Sequence, residues 1–177
     1  MGDTTKHFDY REFTCKCGCS LNRTDKNFIE KLEKLYEYFE NTVDGISAII
    51  INSGYRCNKS SSSIPGAFIG DTHNLGFGAD LHIVKADGVS LWSSLNIAAV
   101  AEKLGFTGIG IITNTDIHLD DRTIDKYSNG HWFGNEQSGQ NDIKSFAAYL
   151  PALKTSSLKH KLIIKYDDKI IFETEVN

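Results

Sequence analysis

Two short segments carry the residue types that hydrolytic metal centres use. One holds His73 and, seven positions later, Asp80 at the start of a strand-like run; the other holds His118 within an alternating run. A catalytic zinc takes three nitrogen or oxygen ligands from the protein and keeps a fourth position for water. Two imidazoles and one carboxylate meet that demand and leave a net charge of about +1, which lowers the pKa of the bound water. His73, Asp80 and His118 are therefore the candidate ligands of one Zn²⁺ per chain; the alternative is a chance grouping among the six histidines of the chain.

Two carboxylates flank the second histidine. Because side chains alternate along a strand, Asp116, His118 and Asp120 share one face, while Ile117 and Leu119 face the core. One carboxylate can act as the general base on the water, and the other can orient a ligand or the substrate. The pattern leaves open which of Asp116 and Asp120 is the base.

Two further histidines belong to the same analysis. His82 shares a strand face with Asp80, so it is either a competing ligand or an outer partner of the centre. His131 precedes Trp132 in a polar loop, where the pair is placed to line a cleft.

The elements that must position these residues follow from apolar spacing. Spacings of three and four residues predict a helix over 25–41 capped by Thr24, a second between Ser90 and Gly105, and a short third near 142–150. β-rich or alternating runs predict strands at 47–52, 78–84, 108–113 and 116–120, and the Ser- and Gly-containing stretch 57–72 is predicted to be a loop. Helices and strands do not alternate as βαβ units would, so we expect an α+β fold with a mainly antiparallel sheet and flanking helices.

The C-terminal segment is predicted to be separate from this domain. Residues 160–176 form two β-rich runs around Asp167 and Asp168, which is typical of a hairpin. We expect a catalytic domain over 1–153 and a hairpin extension over 154–177 of unknown role. A lone hairpin is marginally stable, so it should pack on the main sheet or on a partner, and edge-to-edge pairing would make a homodimer.

Composition excludes several function classes. The net charge of −4, from 19 basic and 23 acidic residues, provides no basic footprint for nucleic acid or for an anionic membrane. The chain contains no apolar run long enough to span a bilayer, and its first ten residues lack the apolar stretch of a secretory signal. We therefore expect a protein made in the cytoplasm, or the mature form of a secreted one.

Four cysteines remain, three of them within the run CKCGC. Cys15, Cys17 and Cys19 alternate, and Cys57 lies far along the chain. Residues only two apart make a strained disulfide, so the spacing favours reduced thiols or one disulfide to Cys57. A metal knuckle usually has two to four residues between its cysteines, and the spacing also departs from iron–sulfur motifs. A sulfur-ligated metal is therefore the least favoured of the three interpretations.

Several ordered motifs resemble one family. The segments that carry the likeness are SGYR (53–56), THNLGFGAD (72–80), GIG (108–110), HLDDR (118–122) and the lead-in FDYREFTCKCGC (8–19). They resemble the zinc D-alanyl-D-alanine carboxypeptidases and related peptidoglycan peptidases, which share their fold with the hedgehog signalling domain. Thr72 stands where the family usually has serine, and residues 154–177 have no counterpart in the resemblance.

The resemblance implies a zinc metallopeptidase that cuts peptidoglycan stem peptides. It implies either a D-Ala-D-Ala carboxypeptidase or an L-Ala-D-Glu endopeptidase acting at the bacterial cell wall, as a phage-type endolysin does. It favours Asp120 over Asp116 as the base and gives Arg56 a role in binding the substrate carboxylate or the oxyanion. We further expect Tyr55 and Trp132 to contact substrate. The alternative is a non-catalytic zinc-containing module for wall binding or phage structure, because a fold alone does not establish an activity.

Overall fold

The computed structural model describes residues 2–122 and 131–154, together with the backbone of 160–166 and 169–176. Within the described part no helix is long and apolar enough to cross a membrane. A loop is also expected over 123–140; its part 123–130 lies outside the described residues, and the structure has a strand at Trp132–Asn135 where loop is expected.

A mixed sheet positions the functional residues. It contains β1 (Ala48–Ser53), β2 (Gly78–Val84), β3 (Gly108–Ile111), β4 (Ile117–Asp120) and β5 (Trp132–Asn135), in the order β1-β2-β4-β3-β5. The first three neighbouring pairs are antiparallel, and β3 pairs with β5 in parallel. The expected α+β fold with a mainly antiparallel sheet is therefore confirmed.

Helices cover one face of this sheet. The longer ones are α1 (Lys26–Glu40) and α4 (Ser94–Lys103), and the four-residue helices α2 (Asn58–Ser61) and α3 (Thr72–Leu75) lie in the connection between β1 and β2. The inward residues of β2 and β4 are fully buried in one core with α1 and α4: Ala79, Leu81, Ile83, Ile117 and Leu119. Alternation then turns Asp80 and His118 toward the opposite face.

Four other predicted elements also differ from those observed. Asp25 rather than Thr24 caps α1, because its carboxylate accepts the amides of Asn27 and Phe28 while the Thr24 hydroxyl donates to Asn22. The second helix begins at Ser94, since Leu91 forms an extended bridge with Val84.

The predicted third helix is wrong except for one turn, a 3-10 helix at Ala147–Tyr149. The amides of Ile143 and Phe146 bond instead to the Phe133 carbonyl and to the Glu102 carboxylate, so they are not available for a helix. The predicted loop over 57–72 contains α2 and the first residue of α3.

The C-terminal strands pair as predicted. β6 (His160–Tyr166) and β7 (Lys169–Val176) form a separate two-stranded antiparallel sheet, and the predicted turn at 167–168 lies outside the described residues. Leu153 bridges to Thr42, and the Lys154 amide bonds to the Asn41 carbonyl, so the chain packs on the end of α1 up to residue 154. The division into 1–153 and 154–177 and the dimer through the hairpin stay predictions.

Candidate metal centre

Three side chains from three elements converge on the open face of the sheet. His73 is on α3, Asp80 on β2 and His118 on β4, and Asp80 lies directly opposite His118 in the antiparallel register. His73 Nε2 lies 3.1 Å from Asp80 Oδ1 and 3.2 Å from His118 Nδ1, and His118 Nδ1 lies 2.9 Å from Asp80 Oδ1. Directly opposite residues have neighbouring side chains, so the register itself brings the last two together.

A short connection brings His73 to this point. Asp71 caps α3 by accepting the amide of Asn74 at 2.7 Å, and Gly76 ends the helix in the left-handed region at φ 91°. A Cβ on Gly76 would overlap the carbonyl of Arg23, so glycine is required both by backbone conformation and by space. The chain can therefore reverse between the two ligands and enter β2 at once.

The donor set fits zinc. Ligands at 2.0–2.1 Å from a tetrahedral ion lie about 3.3 Å from one another, close to the three observed separations. The three groups also border a pocket of about 440 Å³. That pocket leaves one side of the centre accessible to water and substrate, as a catalytic rather than a structural zinc needs.

Outer partners hold both imidazoles in the orientation that ligation requires. The Gly54 carbonyl lies 2.8 Å from His73 Nδ1, and Asp120 Oδ2 lies 3.0 Å from His118 Nε2. In metal sites the second ring nitrogen of a histidine ligand usually donates to such a carbonyl or carboxylate. Arg56 Nη2 donates to the remaining oxygen of Asp80 at 2.6 Å.

The electrostatics of the cluster favour positive charge between the carboxylates. Burial raises the pKa of Asp80, but the hydrogen bonds and charges of His118 and His73 outweigh burial and hold this pKa far below its usual range. Burial lowers the pKa of His118, but the carboxylates of Asp120 and Asp80 outweigh burial and raise this pKa to about 10. A divalent cation bound by these groups would compensate the negative charge of the carboxylates in the same way, without a proton on His118.

Comparison with known proteins agrees with this geometry. A family model described as Peptidase M15 matches residues 6–120, which is 115 of the 177 residues. The chain belongs to the peptidase M15 family. No curated protein and no solved structure matches it. The family resemblance inferred from the motifs is thus confirmed, and the match includes all three candidate ligands.

In this M15 domain Asp120 lies behind the centre. Its side chain is fully buried. Arg122 Nε donates to both carboxylate oxygens, and His118 Nε2 lies 3.0 Å from Oδ2. Gly108 makes room for it, because a Cβ there would overlap the Asp120 carboxylate. This position suits the orientation of His118, and the described pocket lining does not include Asp120. Its role as the base stays a prediction.

Asp116 does not line the pocket either. Its carboxylate accepts hydrogen bonds from Asn52 Nδ2 at 2.7 Å and from Thr113 Oγ1 at 2.6 Å, and it lies 3.4 Å from His82 Nδ1. His82 is therefore paired with Asp116 rather than with the metal centre. Asp116 and His82 lie farther along the same open face of the sheet.

Of the other residues predicted to contact substrate or line a cleft, two border the pocket and two do not. Arg56 and Trp132 both border the pocket. Tyr55 is buried beside Cys15 and Cys57 and borders a different cavity, so we do not assign it to substrate binding. His131 is exposed and packs against the Phe133 ring, and the described pocket lining does not include it.

Two pocket residues escaped the sequence analysis as functional candidates. Arg122 was named only as the last residue of the HLDDR motif. Its Cζ lies 5.1 Å from the centre of the Trp132 ring, and the residue borders the pocket. Glu136 follows β5 and borders the pocket as well. β5 reaches the centre through its parallel pairing with β3, and no local pattern around Glu136 indicates that pairing.

Proposed function

We propose that this M15 chain is a zinc-dependent peptidase that hydrolyses peptidoglycan stem peptides, at the terminal D-Ala-D-Ala bond or at the L-Ala-D-Glu bond. One observation carries the proposal: three ligand atoms lie within 3.2 Å of one another beside a pocket open to substrate. Membership in a peptidase family supports a hydrolase, and the donor set supports the metal.

The pocket walls match an anionic peptide. Arg56 is held by Ser53 Oγ and by Asp80, and Arg122 is held by Asp120 and by the Trp132 ring. A guanidinium fixed in this way presents a planar donor set that suits a carboxylate or a developing oxyanion. Bound zinc would acidify a water molecule and polarise the scissile carbonyl. Arg56 would then bind the substrate carboxylate or the oxyanion, with Trp132 as an apolar wall.

Glu136 is our candidate for the general base. Three acidic residues occur in the described pocket lining: Asp71, Asp80 and Glu136. Asp80 is committed to the centre, and Asp71 accepts the amides of Asn74 and Phe68. Glu136 is exposed, and within the described residues its carboxylate has no hydrogen-bond or ion-pair partner. A carboxylate that is free to reach the pocket can take the proton from the attacking water.

The test starts with metal removal. The purified chain is treated with a chelator, dialysed and assayed on defined muropeptides, with products identified by mass spectrometry. We expect loss of product after chelation and its return with Zn²⁺, and the product mass identifies the bond that is cut. Activity that survives complete metal removal would refute the mechanism.

A zinc-loaded chain that binds muropeptides but releases no product would support the alternative, a non-catalytic wall-binding module. The matched control is His118→Ala, which removes one ligand and whose folding is checked by circular dichroism. Binding that persists in this variant without turnover in either protein would exclude the peptidase.

A further inference from the structure

A second group of metal-capable side chains lies beside the Gly54–Cys57 segment, which contacts the catalytic centre through the Gly54 carbonyl and the Arg56 side chain. The thiols of Cys15, Cys17, Cys19 and Cys57 all lie within 4.8 Å of one another, and all four are free. Three come from one turn after the 3-10 helix Tyr10–Phe13, and Cys57 lies between β1 and α2. The fold thus supplies the fourth ligand that the local CKCGC run lacks.

Two of the sulfur–sulfur separations are close to those of a zinc ligand shell. Cys15 Sγ lies 3.4 Å from Cys17 Sγ, which lies 3.5 Å from Cys57 Sγ. Four thiolates at about 2.3 Å from a tetrahedral zinc lie about 3.8 Å from one another, whereas a disulfide holds its sulfurs at about 2.05 Å. The observed separations are close to the first value.

The turn is shaped to present its thiols together. The Cys15 amide donates to the Leu21 carbonyl, and Gly18 and Ser20 adopt left-handed conformations at φ 83° and 59°. The Cys57 amide donates to Cys15 Sγ at 3.4 Å, a hydrogen bond that favours the thiolate. Within the described residues Ser20 is the sole non-glycine residue with positive φ, so the chain accepts an uncommon conformation here.

The surroundings compensate the charge of such a shell. Four thiolates and one divalent ion carry a net charge of about −2. Arg23 and Lys59 border the same cavity as Cys19 and Cys57. Cys15 and Cys57 are buried, whereas Cys17 and Cys19 are exposed, so an ion can enter from the surface.

We propose that Cys15, Cys17, Cys19 and Cys57 form a second, structural zinc site that fastens the N-terminal lead-in to the Gly54–Cys57 segment. Gly54 supplies the carbonyl behind His73, and Arg56 bonds to Asp80. The Phe13 backbone touches the same segment: the Tyr55 amide donates to its carbonyl, and a Cβ on Gly54 would lie 2.6 Å from its Cα. The thiolate site therefore stabilises the backbone that orients the catalytic ligands.

The decisive experiment counts metals and thiols on the wild-type chain, purified under reductant. We expect two zinc ions per chain. Reconstitution with Co²⁺ should produce an intense thiolate-to-cobalt charge-transfer band in the near ultraviolet. Denaturation in chelator without reductant, followed by alkylation, should label four cysteines. One zinc per chain with no charge-transfer band, or fewer than four alkylated cysteines because a disulfide has formed, would overturn the proposal.

Two variants separate the sites. His73→Ala should lose one zinc, keep the charge-transfer band and lose activity. Cys19→Ser, at an exposed ligand, leaves three thiolates, so it should weaken binding of the other zinc and reduce the band, and its unfolding midpoint should fall by on the order of 10 °C. A Cys19→Ser chain that keeps both zinc ions and its unfolding temperature would refute the site. Failure of the proposed peptidase activity would leave both metal counts unchanged, so the two proposals can fail independently.

Discussion

The two metal-capable clusters use the same short segment in opposite ways. The His73–Asp80–His118 centre takes its ligands from a helix and two strands, mixes nitrogen with oxygen donors and faces an open pocket. The cysteine cluster takes three of its four thiols from one turn, and four thiolates are enough to complete the tetrahedral shell of a zinc ion. One arrangement leaves a position for chemistry, and the other leaves none.

The Gly54–Cys57 segment contributes residues to both clusters. Gly54 and Arg56 face the catalytic centre, while Tyr55 and Cys57 face the cysteine cluster. Residues of alternating orientation on one extended segment serve both sites. A disturbance on the thiol side should therefore reach the catalytic side through the backbone rather than through a shared ligand.

The largest effect expected from breaking this comparison is at a catalytic ligand. His118→Ala removes one donor and leaves Asp120 buried without its imidazole partner, so hydrolysis of muropeptides should fall to the level of the metal-free chain. Elemental analysis should still find the thiolate-bound zinc. Loss of both metals from a folded variant would show that the two sites are not separable.

Glu136→Gln should cause the next largest loss. Removing a general base typically lowers kcat by about 10²–10⁴-fold. Because the side chain is not a ligand, the zinc content should not change. The matched control is Gln137→Ala at the exposed neighbouring position, which should retain wild-type kcat. If Asp116→Asn or Asp120→Asn lowers kcat at saturating zinc while Glu136→Gln does not, the base is one of those two residues.

Asp120→Asn should act mainly on metal affinity. The variant keeps the shape of the side chain but weakens the hydrogen bond that orients His118, and such outer partners contribute about 10–100-fold in metal affinity. Competition with a chromophoric chelator measures this shift at the catalytic site. The thiolate site, which has no contact with Asp120 among the described residues, supplies the internal reference. An unchanged affinity would remove the orienting role that we assign to Asp120.

The smallest effect is expected at an imidazole–carboxylate pair, His7 and Glu33, which belongs to neither metal-capable cluster. His7 Nδ1 lies 2.6 Å from Glu33 Oε1. Burial raises the pKa of Glu33, but hydrogen bonds from Thr5 and His7 outweigh burial and hold it below its ordinary value of 4.5. A carboxyl group whose pKa is lowered on folding stabilises the folded state at pH values above its ordinary pKa. This contribution is lost as the pH falls through the folded-state pKa.

Glu33→Gln should therefore lower the free energy of unfolding by about 1 kcal/mol at neutral pH, and by less as the medium becomes acidic. Denaturant unfolding at several pH values measures this difference, and the metal content should stay the same. A difference that grows on acidification would contradict the assignment.

Much of the catalytic side could be read from the sequence because it depends on local patterns. Alternation in 78–84 placed Ala79, Leu81 and Ile83 inward and Asp80 outward, and the structure has that strand with the same bounds. Burial of apolar side chains sets this arrangement, and a period of two records it directly. The family motifs named the three candidate ligands, whose role as ligands stays a prediction.

What the sequence could not supply were contacts between distant segments. The roles of Asp120 and Glu136 depend on which side of a strand pair faces the pocket and on the parallel pairing of β5 with β3, and neither is encoded by spacing along the chain. The meeting of Cys57 with CKCGC likewise needs the lead-in to pack on the end of β1. The sequence by itself determined the donor types, the strand faces and the fold class, since these follow from side-chain chemistry and local periodicity. Only the tertiary structure decided which carboxylates face the pocket and which thiols meet, because long-range packing brings those groups together.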